Sequence, residues 1–267
     1  MNMPHAVRAA PTLLRIGFAE IVANRAEMAF WVLTATMPLI MLALWNAVAR
    51  DGPVAGFDQV EFARYFAAAL VVRQLTGAWI LWELNYHIRT GSLSPLLLRP
   101  MHPLVYSGVS MVTAMPFRMV ILAPLLGALV LWRPELWQVP DLQTFARFLV
   151  SVVLAWVMSF LVQAIFGMLA FWLDQSMGLF GVWFATWGLL SGYVAPMDVL
   201  PDAIRPVVDW LPFRGMLAVP VELLGGFLTA RDALGDIAVQ VGWVVVLSVL
   251  ASFLWKRGVR RYGAYGA

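Results

Sequence analysis

Asn85–Pro103 reads NYHIRTGSLSPLLLRPMHP. It carries His87, Arg89, Arg99 and His102 and no acid, and it is punctuated by Gly91, Pro95, Pro100 and Pro103. Long apolar runs flank it on both sides. The chain has 267 residues, 62% hydrophobic and only 12% charged, against about half apolar and a quarter charged in soluble domains. The flanking runs are therefore read as membrane helices and Asn85–Pro103 as a basic loop between two of them. At about 20 residues per crossing, spans use up most of the chain, and no stretch is polar enough for a second, soluble domain.

Working outward, the predicted fold is an all-α membrane protein with six transmembrane helices. Residues 1–27 form a tail with an N-terminal amphipathic helix near Pro11–Arg25, where Leu14, Phe18, Ile21 and Val22 share one side. The first apolar run comes after about 27 residues and is long enough to span, so no cleavable signal is expected. A single transmembrane domain covers 28–255, with spans at about 28–48, 62–84, 104–132, 148–173, 177–194 and 237–255. Residues 195–236 are too polar to span and too apolar for a plain loop. They read as short re-entrant helices on the outer side, at or dipping into the membrane surface. A basic tail, 256–267, follows.

Orientation follows from the distribution of charge. With six spans both termini share a side, and that side holds Arg89, Arg99, Lys256, Arg257, Arg260 and Arg261. The opposite side holds Asp51, Asp58, Glu135, Asp141, Asp198, Asp202 and Asp209. The termini and the 85–103 loop are thus expected in the cytoplasm, with the chain in the cell (inner) membrane. Trp31, Trp45, Trp79, Trp82, Trp132, Trp172 and Trp255 lie near span ends, as interfacial anchors do.

Several chemistries are excluded. There is no cysteine, hence no disulfide or thiolate site. The only lysine, Lys256, is not in a phosphate-binding loop, so the chain is not a P-loop ATPase by itself. No H-E-x-x-H or G-x-S-x-G occurs, and His5, His87 and His102 have no ligand spacing. No catalytic residue, metal site or nucleic-acid partner is expected. Arg73 and Arg118 fall near mid-span, where an arginine costs at least ~2.5 kcal/mol. Either they line a substrate path for an anionic or amphiphilic molecule, or they satisfy carbonyls freed by Pro116 or Pro124 or pair with Glu83. Met158, Phe160, Phe166 and Met168 suit packing or lipid contact, with a path for an apolar substrate as the alternative. Gly167, Gly178, Gly181 and Gly188 suit close helix packing.

Three patterns carry a resemblance. Gly91-Ser92-Leu93 followed by Leu96-Leu97-Leu98-Arg99-Pro100 is similar to a cytoplasmic "G-x-L … L-L-R-P" loop. The ending, with Trp255, Arg261-Tyr262 and Gly266, is similar to "W … R-Y-x-x-x-G". Gly192, Pro196, Pro201 and Leu211-Pro212-Phe213 are similar to an outer "G-x-x-x-P … L-P … L-P-F" segment. In this order they resemble one branch of the membrane permeases of type-2 ATP-binding-cassette (ABC) exporters, over nearly the whole chain.

The resemblance implies a permease that pairs with a second one, identical or a paralogue, around a substrate path among membrane lipids. Each permease would bind a separate cytoplasmic ABC ATPase, which carries the ATP and Mg. It further implies that Arg89, Gly91, Leu93, Leu96, Leu97, Leu98, Arg99 and Pro100 belong to a coupling element docking on the ATPase. Gly192, Pro196, Pro201, Pro212 and Phe213 would belong to an outer gate. A stand-alone secondary transporter or membrane scaffold is the alternative. Against it stand the lack of an inverted repeat and of an intramembrane carboxylate.

Overall fold

A computed structural model describes residues 37–136, 140–174 and 176–265. The N-terminal amphipathic helix, Trp31 and the start of the first span lie outside the described residues. Among those described, all regular elements are helical.

Helix α1 (Met37–Val48) ends the first apolar run, and a tight turn closed by a Val54–Phe57 bridge follows. Asp58 and Glu61 then form a reciprocal capping box, each side chain accepting from the other residue's backbone N–H, and so start α2 (Gln59–Thr76). The second apolar run is not one continuous helix. It breaks at Gly77–Trp79 and resumes as α3 (Ile80–Arg89). A short helix α4 (Leu93–Leu97) lies inside the basic loop.

His102 caps α5 (Pro103–Trp132), with Pro103 in the first turn. Asp141 caps α6 (Leu142–Met168), accepting from Thr144 N–H at 2.8 Å. A 3-10 turn, Leu169–Phe171, extends α6, and α7 (Ser176–Leu190) follows. The segment before the last span holds α8 (Arg205–Val208), α9 (Pro212–Met216) and α10 (Ala218–Gly225), and α11 (Ala233–Tyr265) ends the chain.

Four stretches are long and apolar enough to cross a membrane: Gln59–Arg89, Pro103–Leu129, Leu142–Phe171 and Ala233–Tyr262. They correspond to the expected second, third, fourth and sixth spans. The fifth, α7, has 15 residues, about 22 Å at 1.5 Å per residue, short of the ~30 Å hydrocarbon thickness.

Helix α6 is the hub, packing on α2, α3, α7, α9, α10 and α11. Lipid supplies no hydrophobic drive between helices, so close packing and interhelical hydrogen bonds hold such a bundle. Gly167 provides the close approach: a Cβ there would stand 3.0 Å from Leu84 Cβ and 3.2 Å from the Leu81 carbonyl oxygen. Gly178, Gly181 and Gly188 face open space within the described chain and pack nothing closely. Met158, Phe160 and Met168 are buried in the two main side-chain clusters, and Phe166 is half-buried against one of them.

The segment before the last span packs into the bundle: Leu217, Ala218, Val221 and Leu223 are fully buried, with α10 against α2 and α6. The apolar residues between its prolines and charges are what pack.

Candidate functional site

Three places hold the residues singled out above. The first is the basic loop. Gly91 adopts φ +77°, a left-handed conformation that favours glycine. The turn there is held by Thr90 Oγ1–Ser92 Oγ and His87 Nδ1–Ser92 Oγ contacts, both 2.8 Å. Leu93 is fully buried among Ile80, Leu84, Met111 and Phe171, and Leu96 and Leu97 are half-buried against the same group. Leu98 is 87% exposed, and Ser94, Pro95, Arg99 and Pro100 are exposed with it.

The four leucines are therefore not one apolar plug. Leu93 is the root, Leu96 and Leu97 the shoulder, and Leu98 the tip. Arg99 stacks over Tyr106, its guanidinium carbon 5.5 Å from the ring centroid. Arg89 donates to the Leu173 carbonyl at 3.3 Å, and Asn85 donates to Ser176 Oγ at 2.7 Å. These two contacts tie α3 to the α6–α7 connection. His102 is half-buried with its ring 4.7 Å from that of Trp255, and burial lowers its pKa.

The second place is the arginine pair. Arg118 is only 6% exposed. Its guanidinium donates to the carbonyls of Gln74 at 3.0 Å, Gly77 at 3.2 Å and Met111 at 3.5 Å. It also stacks over Trp79 at 5.0 Å. The carbonyls at Gln74 and Gly77 are those freed by the break between α2 and α3, not by Pro116 or Pro124 as the sequence suggested. Glu83 accepts from Trp79 Nε1 at 3.0 Å. Gly77 makes this geometry possible, because a Cβ there would collide with the Arg118 guanidinium. Arg73 is half-buried, with its guanidinium carbon 5.1 Å from the Trp187 ring and 5.8 Å from the Tyr193 ring.

The third place is the segment between α7 and α11. Gly192, at φ +85°, turns its carbonyl to the Tyr65 hydroxyl, which donates at 2.9 Å. Pro196, Pro212 and Phe213 are buried and Pro201 is exposed, and the Phe213 ring lies 4.8 Å from that of Trp183.

Between these residues sits a charge cluster that was visible in the sequence only as scattered ions. Arg214 contacts Asp209 at 3.5 Å, Glu222 at 2.8 Å and Asp236 at closer range. Burial alone would lower the Arg214 pKa, but the carboxylates of Glu222, Asp236 and Asp209 raise it overall. Burial pushes Glu222 up to about 7, with Asp236 adding to the rise and Arg214 opposing it. Gln240 bridges nearby, donating to the Gly215 carbonyl at 2.7 Å and the Ser151 carbonyl at 3.1 Å. Among the described residues, no group of His, Asp and Glu could hold a metal ion.

A family profile described as "ABC-2 family transporter protein" matches residues 21–266. No curated protein matches the chain.

Proposed function

The chain belongs to the ABC-2 transporter family and is thus a permease component of an ABC transporter; from that premise we propose that the 85–103 loop receives the motion of a cytoplasmic ABC ATPase and passes it to the bundle. The ATPase, a separate chain, holds ATP and Mg. Six spans, cytoplasmic termini and a cell (inner) membrane location complete the proposal. So does a second permease, identical or a paralogue, with which this chain encloses an export path.

The observation that carries this reading is the build of the loop. A coupling element must be stiff, fixed to its spans and open on one side. Leu93 roots α4 in the bundle, while Leu98 and Pro100 are exposed and Arg99, also exposed, stacks over Tyr106. Pro95, Pro100 and Pro103 restrict the backbone between. Closing of the ATPases would then act as a population shift between two arrangements of the helices.

Of the two mid-span arginines, Arg73 is the better candidate for the path, since Arg118 is committed to three backbone carbonyls. Gly192, Pro196, Pro201, Pro212 and Phe213 are proposed as parts of an outer gate, supported by the packing of α9 and α10 against α6.

The test is purification of the chain from its own membranes. ATP hydrolysis by a co-purifying P-loop subunit, inhibited by vanadate, supports the proposal. Substrate movement in vesicles that hold the chain alone, without ATP, overturns it.

A further inference from the structure

Helix α11 runs for 33 residues, Ala233–Tyr265, without a proline. Each end is fastened by polar contacts to a different functional region. At one end the Tyr262 hydroxyl donates to the Gly91 carbonyl at 2.7 Å and bonds Ser94 Oγ at 3.1 Å. The Tyr262 ring meets Phe171 edge-on at 6.0 Å. Gly258 lets Phe171 lie against the helix backbone, since a Cβ there would collide with its ring. Trp255 lies against His102 at the far side of the same loop.

At the other end Asp236 pairs with Arg214, Gln240 holds the Gly215 carbonyl, and Trp243 Nε1 donates to the Trp210 carbonyl at 2.8 Å. All three partners lie between the fifth and last spans. Tyr262 and Asp236 are 26 positions apart, about 40 Å along a helix axis at 1.5 Å per residue.

We propose that α11 is a strut that carries displacement of the 85–103 loop to the outer segment, with Tyr262 as the positioning residue at the loop and Asp236 at the outer end. The inference rests on the reading that this loop receives ATPase motion. A continuous helix resists axial compression because its backbone hydrogen bonds run along its axis, so a shift at Gly91 is passed toward Arg214. The arrangement also accounts for the glycine loop and the Arg261-Tyr262 ending as one unit: two patterns 171 residues apart meet at a hydrogen bond.

The chain has no cysteine, so one reporter thiol can be introduced alone. Val207, 64% exposed in the outer segment, is replaced in Val207→Cys. The ATPase–permease complex is purified from native membranes into lipid nanodiscs. Alkylation by a charged maleimide is followed by the mass of this chain, with and without ATP plus vanadate. In the parent, nucleotide is expected to change the labelling rate. With Tyr262→Phe added, the melting temperature is expected to hold while the nucleotide effect is lost, and Asp236→Asn should give the same loss from the opposite end. An undiminished nucleotide effect in Tyr262→Phe overturns the strut. No nucleotide effect in the parent overturns the coupling reading beneath it.

Discussion

The Tyr65 hydroxyl donates to the Gly192 carbonyl at 2.9 Å and joins α2 to the start of the segment between α7 and α11. Gly192 can offer that carbonyl because it sits at φ +85° with Tyr65 on one side and Ala218 on the other. A methyl at 192 would collide with the Tyr65 hydroxyl and stand 3.1 Å from Ala218 Cβ. Gly192→Ala should cost about 1–3 kcal/mol from backbone strain alone. Tyr65→Phe should cost about 1–3 kcal/mol by orphaning a buried carbonyl. The two share one collision, so the double variant should lose less than the sum. Melting in detergent measures this, and strict additivity would contradict the contact.

Arg118 and Arg73 should behave differently. Arg118→Ala leaves the carbonyls of Gln74 and Gly77 without their donor inside the membrane, each costing about 1–3 kcal/mol. Gly77→Ala should have a similar effect by displacing the guanidinium. Both are expected to reduce the monodisperse fraction on size-exclusion chromatography. Arg118→Lys should not rescue it, because one ammonium nitrogen cannot replace both Nη1, which serves Gln74 and Gly77, and Nη2, which serves Met111. Arg73, stacked over Trp187 and Tyr193, should tolerate alanine with the fold retained. Equal loss in Arg73→Ala would assign it to structure as well.

Glu222 should give the protein a pH signature. Its folded pKa is raised by burial from an ordinary 4.5 to about 7. Between those values the folded state holds the proton more often than the unfolded state, so this group makes stability fall as pH rises. Acidification from pH 8 to pH 5 should therefore raise the melting temperature of the parent relative to Glu222→Gln. A variant with the same pH slope as the parent would remove Glu222 from the account.

In the loop, root and tip should separate. Leu93→Ala empties a fully buried site and should cost about 2–5 kcal/mol. Leu98→Ser touches only exposed surface and should leave the stability within about 0.5 kcal/mol of the parent. It should nevertheless weaken retention of the ATPase during purification. Leu96→Ser and Leu97→Ser should fall between the two in stability.

Much of this was legible from composition and periodicity. Pro103–Leu129, Leu142–Phe171 and Ala233–Tyr262 follow the apolar runs, and the caps at Asp58 and Asp141 stand where polar residues meet them. The break in the second span was not legible. Thr76-Gly77-Ala78-Trp79 holds no proline, and a lone glycine in an apolar run is a weak signal. That Arg118 could satisfy freed carbonyls was among the readings, but not that they belong to Gln74 and Gly77, because the break that frees them left no clear mark in the sequence. The same holds for Tyr262 and Gly91, whose bond joins a side chain to a distant carbonyl. The Arg214 cluster gathers Asp209, Glu222 and Asp236 from three elements, and only the packing of α9 and α10 brings them together.

The central claim, that the tip of the 85–103 loop docks on an ABC ATPase, is tested most directly by crosslinking from position 98. Leu98→Cys supplies a single thiol on a cysteine-free chain at a side chain that is 87% exposed. A short thiol-to-amine crosslinker is applied in native membranes and the adduct is read by mass spectrometry. The account predicts an adduct with a P-loop ATPase chain whose yield changes with ATP and vanadate. It is contradicted if the thiol forms no such adduct and is instead labelled by a membrane-impermeant reagent from outside the cell.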